Sequence, residues 1–231
     1  MNPVVIGSLF NALGYAVGGF LYWHEAKRRK LATSGITRIV MIGAIAGVLL
    51  ARLVERLAEG GSFASVIDPA SGGRTILGGV IGGWLAVEIA KRRMGIRTST
   101  GPMWAVALPA GEAIGRIGCW FNGCCYGKAC SLPWAVQQHG EMRHPTQFYL
   151  AGSAAIIFAI VWWARDRTRV FPLYLVLWSI SRFIIEFFRE PIGHSNGLDS
   201  AQVACIGLFA LGIYLFIRPV ARSEGSPEVS G

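Results

Sequence analysis

Eight charged side chains stand inside or at the ends of long apolar runs: Arg52, Glu55, Glu88, Glu112, Arg116, Arg182, Glu186 and Arg189. A charge near the centre of a membrane span costs about 2.5–3.5 kcal/mol, so each needs a partner or a wet cavity. Helical spacing supplies partners. Glu112 and Arg116 are four apart, as are Arg182 and Glu186, and Arg189 follows one turn later on the same face. The planar guanidinium fork grips a carboxylate or a phosphate by two hydrogen bonds. Several arginines at one membrane depth therefore suit a lipid head-group phosphate, and the plainer outcome is a set of internal ion pairs. Arg143 and His144 lie between two later spans, where the imidazole can act as general acid or base or tie the loop down.

A second cluster is sulfur. Four of the five cysteines crowd into Cys119, Cys124, Cys125 and Cys130, a C-x4-C-C-x4-C pattern. Structural zinc sites favour paired C-x2-4-C spacing, which this pattern does not match, so metal is the least favoured of four readings. The other three stay open beside it. A disulfide from Cys124 or Cys125 to Cys130 would staple a loop on an oxidising face. Buried inert thiols would act as small apolar groups. A reactive thiol is the third: Arg116 and Cys119 are three apart on one helix face, and a guanidinium favours the thiolate as nucleophile or base.

The elements that must hold these groups are membrane helices. The 231 residues are 53% hydrophobic and only 15% charged, with mean hydropathy +0.47, against about 25% charge in a soluble domain. A bilayer core about 30 Å thick takes roughly 20 apolar residues per helix. Seven spans are read at 4–23, 38–56, 75–90, 103–121, 146–164, 171–188 and 200–217, an all-α polytopic fold. The net charge of +9 comes from 22 Lys+Arg against 13 Asp+Glu, and it collects in every second gap: Lys27–Lys30, Lys91–Arg93 with Arg97, Arg165–Arg169, and the tail. That alternation predicts the N-terminus outside and the C-terminus inside, and it assigns the positive charge to loops rather than to a nucleic-acid partner. Residues 1–23 hold no Lys or Arg, so the first span is read as a retained helix. Residues 1–218 read as one membrane domain and 219–231 as a disordered inner tail. Glycines four apart (Gly14/Gly18, Gly43/Gly47, Gly78/Gly82, Gly79/Gly83, Gly111/Gly115) mark close helix packing.

Several of these segments carry a resemblance. GRIGCWFNGCCYGKAC (115–130), LPWAV (132–136) and RHPTQFYL (143–150) resemble the motifs of the prolipoprotein diacylglyceryl transferase family. RTILGGVIGGWLAVEIAKRR resembles that family's glycine-rich helix and basic exit, RFIIEFFREP (182–191) its RxxxEFFR-x-P run, GLDSAQ (197–202) its following motif, and LFNALGYAVGGFLYWHEAKRRK its first helix. The order and spacing fit across nearly the whole chain. The resemblance implies a multi-pass transferase of the bacterial inner membrane, needing no cofactor, that moves a diacylglyceryl group from phosphatidylglycerol to the thiol of a lipobox-containing preprolipoprotein. Its partners are thus an anionic phospholipid, that protein and the membrane. Carried over by motif, Arg116 and Arg182 hold the phosphate. Asn122, Arg143, Gln147, Glu186, Arg189, Gly78 and Gly79 contribute to substrate binding, and His144 joins the catalytic set. Departures fall at Asn11, Leu77, Cys119, Cys124, Tyr126 and Trp178, where the family carries other residues. Cys119 and Cys124 thereby become candidate catalytic thiols. Two rival functions remain open: an outer-face thiol protein handling redox equivalents or soft metals, and a lipid-binding homologue without chemistry.

Overall fold

The structure, a computed structural model, describes residues 2–31, 34–58, 76–96, 98–190 and 197–218. Seven helices run in order: α1 (Pro3–Arg28), α2 (Ser34–Ala58), α3 (Ile76–Arg93), α4 (Gly101–Phe121), α5 (Thr146–Trp163), α6 (Val170–Glu186) and α7 (Ser200–Ile217). All seven predicted spans are present, with ends displaced by a few residues. Helix α1 runs on to Arg28 because Glu25, fully buried, accepts from Arg28 and Arg29, so the first basic cluster sits on the helix rather than in a loop. The tail from 219 and the side chains of Glu55, Leu77 and Gly78 lie outside the described residues.

Local sequence explains the helix starts. Asn2 caps α1 by accepting from the Val4 amide, with Pro3 in the first turn. Asp199 and Gln202 form a reciprocal capping box on α7. Among the described residues, four helices are long and apolar enough to cross a membrane on length and composition alone: α1, most of α2, α5 and α7. Helices α4 and α6 carry the buried charges Arg116, Arg182 and Glu186, and α3 ends on Lys91, Arg92 and Arg93. Large apolar side chains point outward all along the bundle, among them Phe20, Ile156, Trp163 and Ile217. That is the reverse of a water-soluble surface.

Glycine sets the helix contacts. A Cβ on Gly14 would meet the Gly111 carbonyl oxygen at 2.7 Å, so α1 and α4 touch backbone to backbone. Gly47 and Gly83 do the same for α2 and α3. Helices α4, α5, α6 and α7 pack in succession, and α6 also reaches α4. The α2–α3 pair stands as a separate arm. It joins the rest chiefly at the basic end, where Ile36 packs with Tyr22, Ala26 and Met103.

One element was not predicted. Between α4 and α5, β1 (Val136–Gln138) and β2 (Glu141–Arg143) pair antiparallel, Val136 opposite Arg143 and Gln138 opposite Glu141. The turn is His139–Gly140, with φ of 52° and 83°, the double left-handed geometry of a tight hairpin.

Candidate functional site

The site forms where the ends of α4 and α6 meet the hairpin. Glu112 and Arg116 pair along α4 as their spacing predicts: Arg116 donates from Nε and Nη2 to Glu112 Oε1 at 3.2 and 2.8 Å. Trp178 of α6 donates its indole N–H to the other oxygen of Glu112 at 2.7 Å. On α6, Arg182 Nη2 lies 2.7 Å from Glu186 Oε2, and Arg189 Nη1 donates to Glu186 Oε1 at 2.7 Å. Arg116, Arg182 and Glu186 are all buried.

Arg182 lies within electrostatic reach of both Arg116 and Arg189. Three guanidinium groups thus share two carboxylates, which leaves one positive charge over. Two donors of the cluster, Arg182 Nη1 and Arg189 Nε, are buried without a hydrogen-bond partner, and the Arg182–Glu186 contact is an ion pair lacking hydrogen-bond alignment. A buried unsatisfied donor on a cation is costly, and an anion placed there would relieve it.

An apolar groove of about 250 Å³ opens between α6 and α7 beside this cluster, lined by Ser179, Ile180, Phe183, Ile184, Ile206 and Phe209 with Cys205 at its wall. Cys205 itself is within electrostatic reach of Arg182 and Glu186. An acidic head group on the arginines would place a lipid tail against this groove.

The cysteines gather at the end of α4. Gly123 and Cys125 both adopt left-handed backbone, φ 64° and 61°, and the chain folds back on itself. The sulfurs of Cys119, Cys124 and Cys125 then lie within 4.8 Å of one another. All five cysteines are unbridged, so the predicted staple to Cys130 is not formed. Hydrogen bonding with the Cys119 and Cys124 thiols holds the Cys125 thiol well below its ordinary range, helped by Arg116 and Arg189 against the effect of burial. The thiol of Cys124 is raised by its bonds to Cys119 and Cys125.

The other predicted residues build the frame. Gln147, fully buried, donates to the Cys124 carbonyl at 2.8 Å and to Gln138 at 3.1 Å. Thr146 donates to the Cys125 carbonyl at 2.7 Å. Arg143 is occupied by Glu141 at 2.6 Å, Glu190 at 2.9 Å and the Gly127 carbonyl at 3.1 Å, and it lies over the Tyr126 ring. Its charge staples the hairpin to the end of α6 and is not offered to the arginine cluster. His144 contacts Tyr149 and the Phe188 ring. Asn122 caps α4, and its side chain fills the space beside Gly7. Gly79 sits in the α2–α3 seam, against Gly47 and Ala51. Sequence reading missed Glu190, Gln138 and the Trp178–Glu112 bond, whose partners are distant in the chain and leave no local spacing signal.

The family model for prolipoprotein diacylglyceryl transferase matches residues 3–218. The chain belongs to the prolipoprotein diacylglyceryl transferase family. Relatives named phosphatidylglycerol–prolipoprotein diacylglyceryl transferase agree over most of their length. The one from Nitratidesulfovibrio vulgaris is 33% identical over 217 residues, covering 88% of this chain and 81% of the relative. That from Clostridium tetani is 28% identical, covering 89% of each, and that from Wolbachia pipientis is 28% identical, covering 94% of each. This family member is accordingly a transferase and a multi-pass protein of the bacterial inner membrane. Four of its departures from the family motifs have local accounts: Trp178 ties α6 to Glu112, Tyr126 packs tilted against His139 with ring centroids 4.3 Å apart, and Cys119 and Cys124 enter the thiol cluster.

Proposed function

We propose that the chain transfers a diacylglyceryl group from phosphatidylglycerol to the thiol of a lipobox-containing preprolipoprotein, as the names of its relatives describe for them. The observation that carries this reading is the surplus guanidinium: three arginines on two glutamates, with Arg182 Nη1 buried and unpartnered. A phosphodiester bearing one negative charge balances that surplus and fills the vacant donor. Its acyl chains lie along the α6–α7 groove and the lipid around it.

The chemistry then follows from charge. The acceptor sulfur attacks the diacylglyceryl carbon that bears the phosphate ester, a C–S bond forms, and the C–O bond breaks. The electron pair leaves with the phosphate, as glycerol phosphate. Negative charge grows on the leaving oxygen as the bond lengthens, and fixed guanidinium groups in a dry site stabilise it more than the ground state. The acceptor thiol loses its proton to His144, which lies against Tyr149 and Phe188 just beyond the end of α6. Orientation follows the positive-inside rule, with the hairpin and the arginine cluster toward the outer leaflet.

The test supplies labelled phosphatidylglycerol and a lipobox peptide to the purified protein in phospholipid nanodiscs. Thioether-linked peptide and one equivalent of glycerol phosphate are expected, with no product from phosphatidylcholine. Bound lipid without any thioether product contradicts the reading and favours a homologue that binds lipid without turning it over.

A further inference from the structure

The thiol cluster has no part in the transfer chemistry described above. Its linear spacing does not match a zinc template, because such templates assume that ligands approach from separate knuckles. Here the fold-back at Gly123 and Cys125 brings together what the spacing separates. Three sulfurs around one ion, each bonded at about 2.3 Å, stand roughly 4 Å apart. The observed separations, within 4.8 Å, require closure by less than an ångström.

We propose that Cys119, Cys124 and Cys125 form a three-thiolate site for one thiophilic cation of the zinc(II) or copper(I) class. Soft thiolate donors select these ions over magnesium or calcium. Two further features fit. The carbonyls of Cys124 and Cys125 are pinned by Gln147 and Thr146, side chains that are completely buried, so the loop is held in its ligating shape. Cys124 is exposed, which gives an ion a route in from solvent and leaves a coordination position open. Cys130 stands outside the cluster, as does Cys205 at the groove.

The site does not depend on the transferase reading, and each can fail alone. The experiment uses the full-length protein in detergent, reduced, freed of metal with a chelator and desalted, with Cd2+ as probe. Thiolate-to-cadmium absorption in the ultraviolet is expected to saturate at one equivalent per chain, and Zn2+ or Cu+ should displace it. Cys119→Ser, Cys124→Ser and Cys125→Ser should each weaken Cd2+ binding at least tenfold, while Cys130→Ser and Cys205→Ser leave it unchanged. Circular dichroism on every variant keeps misfolding apart from ligand loss, and the exposed Cys124 position is the decisive single substitution. Absence of the band in the reduced protein, or its survival in the triple serine variant, overturns the proposal. So does a disulfide joining two of the three cysteines in protein isolated without air and alkylated before reduction.

Discussion

At the scale of single residues, the pairs that spacing could reveal are the pairs that formed. Glu112–Arg116 and Arg182–Glu186 are one helical turn apart, and both are ion-paired. What spacing could not reveal is that Glu112 also serves a second helix. Trp178 reaches Glu112 across 66 positions of sequence, and no local pattern encodes such a contact. Removing that donor leaves a carboxylate oxygen in a dry site without its partner, so Trp178→Phe is expected to cost about 1–3 kcal/mol. Thermal unfolding in detergent reads this, and an unchanged midpoint would contradict the contact. The thiol cluster was equally illegible, because left-handed backbone at Gly123 and Cys125 decides it. Gly123 needs that conformation, and a β-carbon there costs roughly 1–2 kcal/mol. Gly123→Ala is therefore expected to lower stability and to loosen the loop, seen as faster alkylation of Cys119. Equal alkylation rates would argue that the turn does not hold the thiols.

At the scale of elements, the seven helices were readable because each is a long, mostly apolar run, interrupted in places by single charges, and a run is a property of neighbours in sequence. The hairpin was not, because its strands are three residues long, mostly polar, and held by His139 bonding the Gly123 carbonyl and by Gln138 meeting Gln147. The glycine repeats predicted contact but not which helices meet, and the structure assigns α1 to α4 and α2 to α3. Those seams give a paired prediction. Gly14→Val forces a side chain onto the Gly111 carbonyl, where even the Cβ would lie at 2.7 Å, and overpacking of this kind costs about 1–3 kcal/mol. Gly19→Ala meets nothing within 4 Å and is expected to hold or raise stability by about 0.5–1 kcal/mol, since alanine is the better helix former. Equal unfolding temperatures for the two variants would contradict the seam.

At the scale of the whole molecule, the bundle separates two charged ends. At one end buried Glu25 gathers Arg28, Arg29 and Arg165, and Arg28 bonds Asp166, fastening α1 to the α5–α6 connection. At the other end lie the hairpin, the thiols and the arginine cluster. Among the described residues, the basic stretches Lys27–Lys30, Lys91–Arg93 and Arg165–Arg169 fall at the first end, as the positive-inside rule requires of the inner face. Exposed Cys124 turns this orientation into a measurement. After chelation and mild reduction, a membrane-impermeant maleimide is expected to label it in intact spheroplasts. Labelling only after permeabilisation would reverse the topology. In the function proposed above, a surplus guanidinium on α6 stands next to an apolar groove, so that one molecule of lipid would satisfy both its charge and its chains.

The most direct measurement is thioether formation by Arg182→Gln in nanodiscs containing phosphatidylglycerol. Glutamine keeps a neutral donor but removes the surplus charge, while Glu186 retains Arg189 as partner. Loss of a charge-stabilising donor at a reacting oxygen lowers kcat by about 10²–10³, so turnover is expected to fall by that much in protein whose helix content is unchanged. Turnover within about twofold of the unsubstituted protein, a change worth only about 0.4 kcal/mol, would contradict the account.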